Sequence, residues 1–231
     1  YEKQDRMRRD FTANVSHELK TPLTSISGYA EIIREGMVKS EDVGRFAGKI
    51  YEEAQRLITL VEDILNLSHL DEGAPGQERR QGIDLYALCE RAVASLAEAA
   101  RQRGIAISLT GSRQRVDGAE KLLAEIIFNL CDNAIKYNQE NGHVAVSVTR
   151  EGDRVVLTVQ DTGIGIPPGE TDRVFERFYR VDKSHSKASG GTGLGLSIVK
   201  HAVQYHHGDI RLTSKPGEGT VIRITFPAAA Q

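Results

Sequence analysis

The sequence predicts two folds in series: a helical hairpin forming a dimeric four-helix bundle, then an α+β two-layer sandwich. Three observations predict this. Apolar residues from Phe11 to Ile33 and from Val43 to Leu65 recur at spacings of three and four, the period of a helix with one buried face. A stretch with Gly73, Ala74, Pro75 and Gly76 then reads as a linker. Beyond it, strand-like alternation comes as adjacent hairpins with helices in blocks, the pattern of a sheet covered on one face. The expected domains are residues 1–71, a linker at 72–81, and residues 82–231.

The first helix is expected over 2–34, with Phe11, Val15, Leu19, Leu23, Ile26, Ala30 and Ile33 as its seam. Gly36 and the residues to Ser40 break it, and Glu41-Asp42 suit the first turn of a second helix, to about Leu70. Its seam is Val43, Phe46, Ile50, Ala54, Leu57, Val61, Ile64 and Leu65. Two such helices leave an apolar face uncovered, which a second copy or the rest of the chain must bury; seams this long suit a homodimeric bundle. In the second domain a helix is expected near 84–103 and a strand near 105–110. Asp117-Gly118-Ala119-Glu120 resembles a capping box opening a helix to about Lys136. Strands near 143–150 and 154–160 flank the turn Glu151-Gly152-Asp153. A helix near 193–205 and strands near 209–214 and 220–226 complete the domain.

Composition narrows the function. With 231 residues, 39% hydrophobic, the chain can build two cores, and a net charge of −2 argues against nucleic acid as the main partner. No run approaches the ~18 consecutive apolar residues of a membrane span. The start is a charged helical run without a signal peptide, as if cut from something longer. Cys89 and Cys131 lie in helical apolar contexts without metal-ligand spacing, which favours buried, reduced thiols in a cytosolic protein.

The chemistry concentrates in a few blocks. His17 lies two positions from both Val15 and Leu19, so at about 100° per residue it faces away from the seam, into solvent. Thr21 follows one turn later on the same face, and Pro22, which has no N–H, is expected to bend the helix there. His-Glu-x-x-His would signal zinc, but position 21 is threonine. His69, His143, His185, His201, His206 and His207 read as surface or turn residues. Glu125, Asn129 and Asn133 stand at four-residue steps with Lys136 continuing the stripe; carboxamide oxygens suit a hard cation and a lysine suits phosphate. Asp161 continues the inward alternation of Val155, Leu157 and Val159, so its carboxylate needs a partner such as a ligand amino group. Gly190-Gly191-Thr192-Gly193-Leu194-Gly195-Leu196 leads into a helix whose N-terminal N–H groups can cradle phosphates. Residues 176–190, with Arg177, Arg180, Lys183 and Lys187, read as a mobile lid.

Ser16-His17-Glu18-Leu19-Lys20-Thr21-Pro22-Leu23 resembles the phosphoacceptor box of bacterial sensor histidine kinases. The blocks at 129–137, 161–165 and 191–196 follow in that family's order. The second domain thus resembles the ATP-binding fold shared with gyrase, chaperone and mismatch-repair ATPases. The resemblance implies His17 as nucleophile, Glu18 as general base, and Thr21 placing a water for dephosphorylation of a partner. It implies ATP and Mg²⁺ as cofactors, with Asn129 and Glu125 toward the metal and Asn133, Lys136 and Tyr137 lining the nucleotide. Asp161 would accept from the adenine amine, the Gly163-Ile164-Gly165 turn would close over the base, and Thr220 would assist. Gly191, Thr192, Gly193, Leu194 and Gly195 would hold phosphates beneath Arg177 and Lys187, with Phe175 and Phe178 anchoring the lid.

It further implies a cytoplasmic catalytic core, tethered to the cell membrane through an N-terminal sensor region not in this sequence. The implied partners are a second copy and the receiver domain of a response regulator. Two rivals stand beside this reading: a gyrase-type ATPase that does not need His17, and a scaffold that only senses ATP.

Overall fold

Helix α1 (Glu2–Arg34) continues through Pro22, whose missing N–H removes one rung of the ladder without ending the helix. It stops at Gly36, where φ is +68° and the N–H groups of Gly36 and Met37 return to the carbonyls of Ile33 and Ile32. Only a residue tolerant of the left-handed region closes a helix in this way. A 3-10 turn (Ser40–Asp42) then leads into α2 (Val43–Asp71). The computed structural model describes residues 2–73, 78–181 and 191–229.

The chain divides into two compact units, Tyr1–Asn66 and Leu67–Gln231. Within the first, Tyr29 and Phe46 meet edge to face at 5.8 Å, pinning α1 to α2. Among its described residues only Pro22 and Leu60 are fully buried. Seam residues Leu23, Val61 and Leu65 remain 42–54% exposed. The hairpin therefore carries an apolar face that it does not cover itself.

The second unit begins with the last turn of α2, where Leu67 and Leu70 are buried. Its five-stranded sheet has the order β2 (Ala106–Gly111), β4 (His143–Glu151), β5 (Arg154–Asp161), β7 (Gly219–Pro227), β6 (Asp209–Lys215). The β2–β4 pair is parallel and the others antiparallel, so the β4–β5 and β6–β7 hairpins are those that alternation suggested. Val144, Val146, Leu157, Val159, Ile224 and Phe226 alternate inward from the sheet. They meet a helical layer of α3 (Leu85–Gln102), α4 (Glu120–Lys136) and α5 (Gly195–Tyr205). Leu88, Leu123, Ile127, Leu130, Ile198 and Ala202 supply its buried face.

Three expectations need correction. Residues 79–81 are not linker: β1 (Arg79–Asp84) pairs antiparallel with β3 (Arg115–Ala119), a strand that was not foreseen. Asp117 caps nothing. It lies in β3 and accepts the Gly82 N–H at 2.7 Å, while the N-cap of α4 is Ala119, without a side-chain cap. Its role falls to His206, which is no surface residue but 2% exposed. His206 Nε2 accepts the Ala119 N–H at 3.0 Å, and Nδ1 lies 2.7 Å from the Ala202 carbonyl, which requires the Nδ1–H tautomer. Burial holds its pKa below the ordinary value, opposed by the Ala202 bond and helped by Arg79.

Cys89 and Cys131 are buried and unpaired. Burial pushes both thiols up, Cys131 to about 12, so neither supplies a thiolate at neutral pH. Among the described residues no helix is long and apolar enough to cross a membrane.

Candidate functional site

In the first unit the His17 side chain is 81% exposed, as its offset from the seam requires. Its Nδ1 lies 3.8 Å from Glu18 Oε1, close enough for an ion pair but beyond a direct hydrogen bond. Thr21 Oγ1 donates to the His17 carbonyl at 3.3 Å, which holds the hydroxyl one turn below the ring.

In the second unit, helix α4 presents the polar stripe. Asn129 Nδ2 donates to the Glu125 carbonyl at 3.1 Å, which turns Oδ1 outward. A side chain on Gly195, the first residue of α5, would stand only 3.1 Å from that oxygen. The stripe therefore meets the N-terminus of α5, where Leu194 provides no side-chain cap and the first-turn N–H groups are ready donors for an anion. Thr192 Oγ1 accepts the Leu194 N–H at 3.3 Å, shaping the loop before it. Gly191 packs on the Tyr137 hydroxyl, 3.1 Å from where its side chain would begin, so Tyr137 at the end of α4 closes the same cleft. Asn133 is half-buried on the stripe. Lys136 Nζ pairs with Asp132 Oδ2 at 2.6 Å, one turn back on α4.

Asp161 ends β5 directly opposite Thr220 on β7. Its Oδ1 accepts from the backbone N–H of Gly163 at 2.8 Å and of Thr220 at 3.2 Å. Burial raises its pKa, and those two backbone bonds pull it back down. A half-buried carboxylate with backbone donors on one oxygen offers the other to a ligand's amino group. Gly163 and Gly165 admit no side chain: one would strike the Tyr137 carbonyl, the other that of Lys215. Sequence reasoning missed Ser214, whose hydroxyl is 2.8 Å from Thr220 Oγ1 and accepts the Ile166 N–H at 2.8 Å. It also missed Gln139, whose amide reaches the carbonyls of Gly163 and Gly217.

The lid residues divide. Phe178 takes φ +62° and donates its N–H to the Gly193 carbonyl at 2.9 Å, and Phe175 closes a 3-10 turn just before it. Arg177 Nη2 is bound to both carboxylate oxygens of Asp71, at 2.6 and 2.8 Å, beside a half-buried His201 that had been read as a surface residue. Lys183, His185 and Lys187 lie outside the described residues.

Two family models match: the His Kinase A (phospho-acceptor) domain over residues 7–73, and the histidine kinase-, DNA gyrase B- and HSP90-like ATPase over residues 118–230. The sensor-like histidine kinase SenX3 of Mycobacterium tuberculosis is 41% identical over 229 residues, 99% of this chain and 56% of SenX3. The chain thus spans about half the length of that relative. The solved mycobacterial sensor histidine kinase MprB is 31% identical, with a TM-score of 0.55 over 67% of this chain and 99% of that one. The histidine kinase ThkA, solved in complex with the response regulator protein TrrA, shares the fold at 23% identity. Its TM-score is 0.75 over 98% of this chain and 65% of that one. An exposed histidine in a phospho-acceptor domain, followed by an ATPase-type domain, places this chain in the family of bacterial two-component sensor histidine kinases.

Proposed function

We propose that the chain is the catalytic core of a homodimeric sensor kinase, which phosphorylates His17 from ATP and passes the phosphoryl group to an aspartate of a response regulator. The observation that carries it is the solvent-facing His17 imidazole beside Glu18 in a phospho-acceptor domain. With Glu18 receiving the Nδ1 proton, the lone pair of Nε2 attacks the γ-phosphorus. An N–P bond forms, the bond to the β-phosphate oxygen breaks, and ADP leaves. The resulting phosphoramidate is labile enough to serve as donor to a carboxylate.

In the second domain Asp161, Thr220 and the turn from Gly163 to Gly165 take the purine. Asn133, Lys136, Tyr137 and the loop Gly191–Thr192–Gly193–Leu194–Gly195 follow the phosphates. Asn129 Oδ1 is a hard oxygen next to the α5 N-terminus, and with Glu125 it suits Mg²⁺, which keeps several waters and takes few protein ligands. Mg²⁺ there would neutralise phosphate charge. Arg177 and Lys187 complete the phosphate side when the lid closes over nucleotide, which requires Arg177 to leave Asp71.

The exposed apolar residues of the hairpin support the dimer, and ThkA's complex with TrrA supports a receiver-domain partner. In this reading Thr21, one turn from His17, orients the water that dephosphorylates that partner. The domains are residues 1–71 and 79–231, with the short stretch between them acting as hinge. The whole protein carries a sensor region and sits in the cell membrane, with this core cytoplasmic.

Incubation with γ-labelled ATP tests the reading. Acid-labile, base-stable label should appear on the protein and vanish in His17→Ala. Label that survives that substitution overturns the assignment, and free phosphate without labelled protein identifies a gyrase-type ATPase instead.

A further inference from the structure

The purine end of the cleft is built from three stretches of backbone that touch one another directly. The Ile164 N–H donates to the Tyr137 carbonyl at 3.0 Å, and the Ile164 carbonyl accepts the Gly217 N–H at 2.8 Å. A side chain on Gly219 would strike the Asp161 carbonyl, and one on Gly165 the Lys215 carbonyl. These contacts surround Asp161 and Thr220, ladder partners at the end of β5 and the start of β7. One side chain crosses all three stretches. Gln139, two residues beyond Tyr137, donates through Nε2 to the Gly163 carbonyl at 3.0 Å and the Gly217 carbonyl at 3.3 Å. A primary amide nitrogen has two hydrogens, so both bonds form at once.

Gln139 is itself held in place. Its N–H donates to Asn138 Oδ1 at 2.9 Å and its carbonyl accepts the Gly142 N–H at 3.0 Å. Asn138 Nδ2 in turn donates to the carbonyls of Ala134 and His143, at 3.0 and 3.2 Å. A surface glutamine ordinarily keeps its rotamer freedom; one that gives it up to bridge two glycine turns stiffens whatever those turns hold. The turns hold Asp161, whose Oδ1 takes the N–H groups of Gly163 and Thr220.

We propose that Gln139 is a positioning residue for nucleotide recognition. Its amide clamps the Gly163 turn to the Gly217 turn and so holds the Asp161 carboxylate at the geometry a purine amino group requires. The inference rests on the reading that Asp161 receives the purine. Gln139 does not touch the reacting phosphate, so its loss weakens nucleotide binding and leaves the transfer step itself intact.

The test compares Gln139→Met, which keeps length but removes the donor, with Gln139→Lys, which keeps a donor of similar reach. Asp161→Asn serves as reference for the purine reading. ADP affinity is measured by calorimetry, and KM and kcat for His17 labelling by ATP titration. Gln139→Met should bind ADP about five- to tenfold more weakly, with KM raised alike and kcat within about twofold, while Gln139→Lys stays within about twofold of the parent. Parent-like ADP binding by Gln139→Met, an equal loss in Gln139→Lys, or a fall in kcat at unchanged KM overturns the clamp. If Gln139→Met fails to fold, Gln139→Lys decides: parent-like affinity sustains the clamp and a tenfold loss ends it. An Asp161→Asn protein that binds ADP normally removes the purine reading itself, whereas a defective Asp161→Asn beside an unimpaired Gln139→Met removes the clamp alone.

Discussion

Replacing His206 with phenylalanine removes the bond that opens helix α4. An aromatic ring somewhat larger than imidazole remains, able to make edge contacts like those of His206 with Tyr205 at 5.1 Å and Phe226 at 6.0 Å. What disappears is the acceptor for the Ala119 N–H, buried with a residue only 1% exposed. The Ala202 carbonyl keeps a helical partner in the His206 N–H at 3.3 Å, so one backbone donor is orphaned and no acceptor. An unsatisfied buried donor costs roughly 1–3 kcal/mol. Taking about 2 kcal/mol in a domain of this size, the melting temperature at pH 7.5 should fall by about 4–8 °C.

The pH dependence gives a second handle on the same bond. Burial lowers the His206 pKa, so in the window below the unfolded value of about 6.5 the unfolded chain binds more protons than the folded one. The stabilisation is complete above that value and is lost as pH falls toward the depressed folded pKa. The parent should therefore lose its advantage over His206→Phe as pH drops below about 6.5, since phenylalanine does not titrate. Thermal unfolding followed by circular dichroism across pH 5 to 8 measures both effects. Equal melting temperatures at pH 7.5, or a gap that stays constant down to pH 5, would refute the assignment of His206 as the cap of α4.

Two further outcomes follow from the exposed seam and the half-buried acid. Ile58, Val61 and Leu65 lie on one face of α2 and are 50%, 42% and 54% exposed. Leu65→Asp should convert the dimer to monomer in sedimentation equilibrium while leaving the ADP affinity of the second domain unchanged; a dimer that persists would place the interface elsewhere. Asp161 has a raised pKa, so its ionisation works against folding as pH rises from the ordinary carboxylate range through the folded value. Asp161→Asn should make the nucleotide-free protein as stable as the parent or more so at pH 7.5, an advantage that shrinks toward pH 4. A less stable Asp161→Asn in denaturant titration would show that the carboxylate is structural.

The order of the two domains, the hairpin's helices and the β4–β5 and β6–β7 hairpins could all be read from periodicity, because each is a local pattern. The same holds for the exposure of His17, which follows from its distance to Val15 and Leu19 along one helix. Glycine spacing also marked the turns around Asp161, since close backbone approach leaves no room for a side chain at Gly163 or Gly165. The mistaken cap at Asp117 shows where local pattern ends. The spacing to Glu120 fits a capping box, but β3 occupies Asp117 with a bond to Gly82.

By itself, then, the sequence determined the family, the candidate residues for its chemistry, and on which face of its own element each one lies. Tertiary structure alone decided their partners: His206 for Ala119, Asp71 for Arg177, Gln139 for Gly163 and Gly217. The physical reason is that period and propensity act over a few residues. Which distant backbone donor or carbonyl is left without a partner depends on how sheet and helices close around the core. A histidine or glutamine 24 to 87 residues away then meets that need, and nothing in its immediate neighbours announces it.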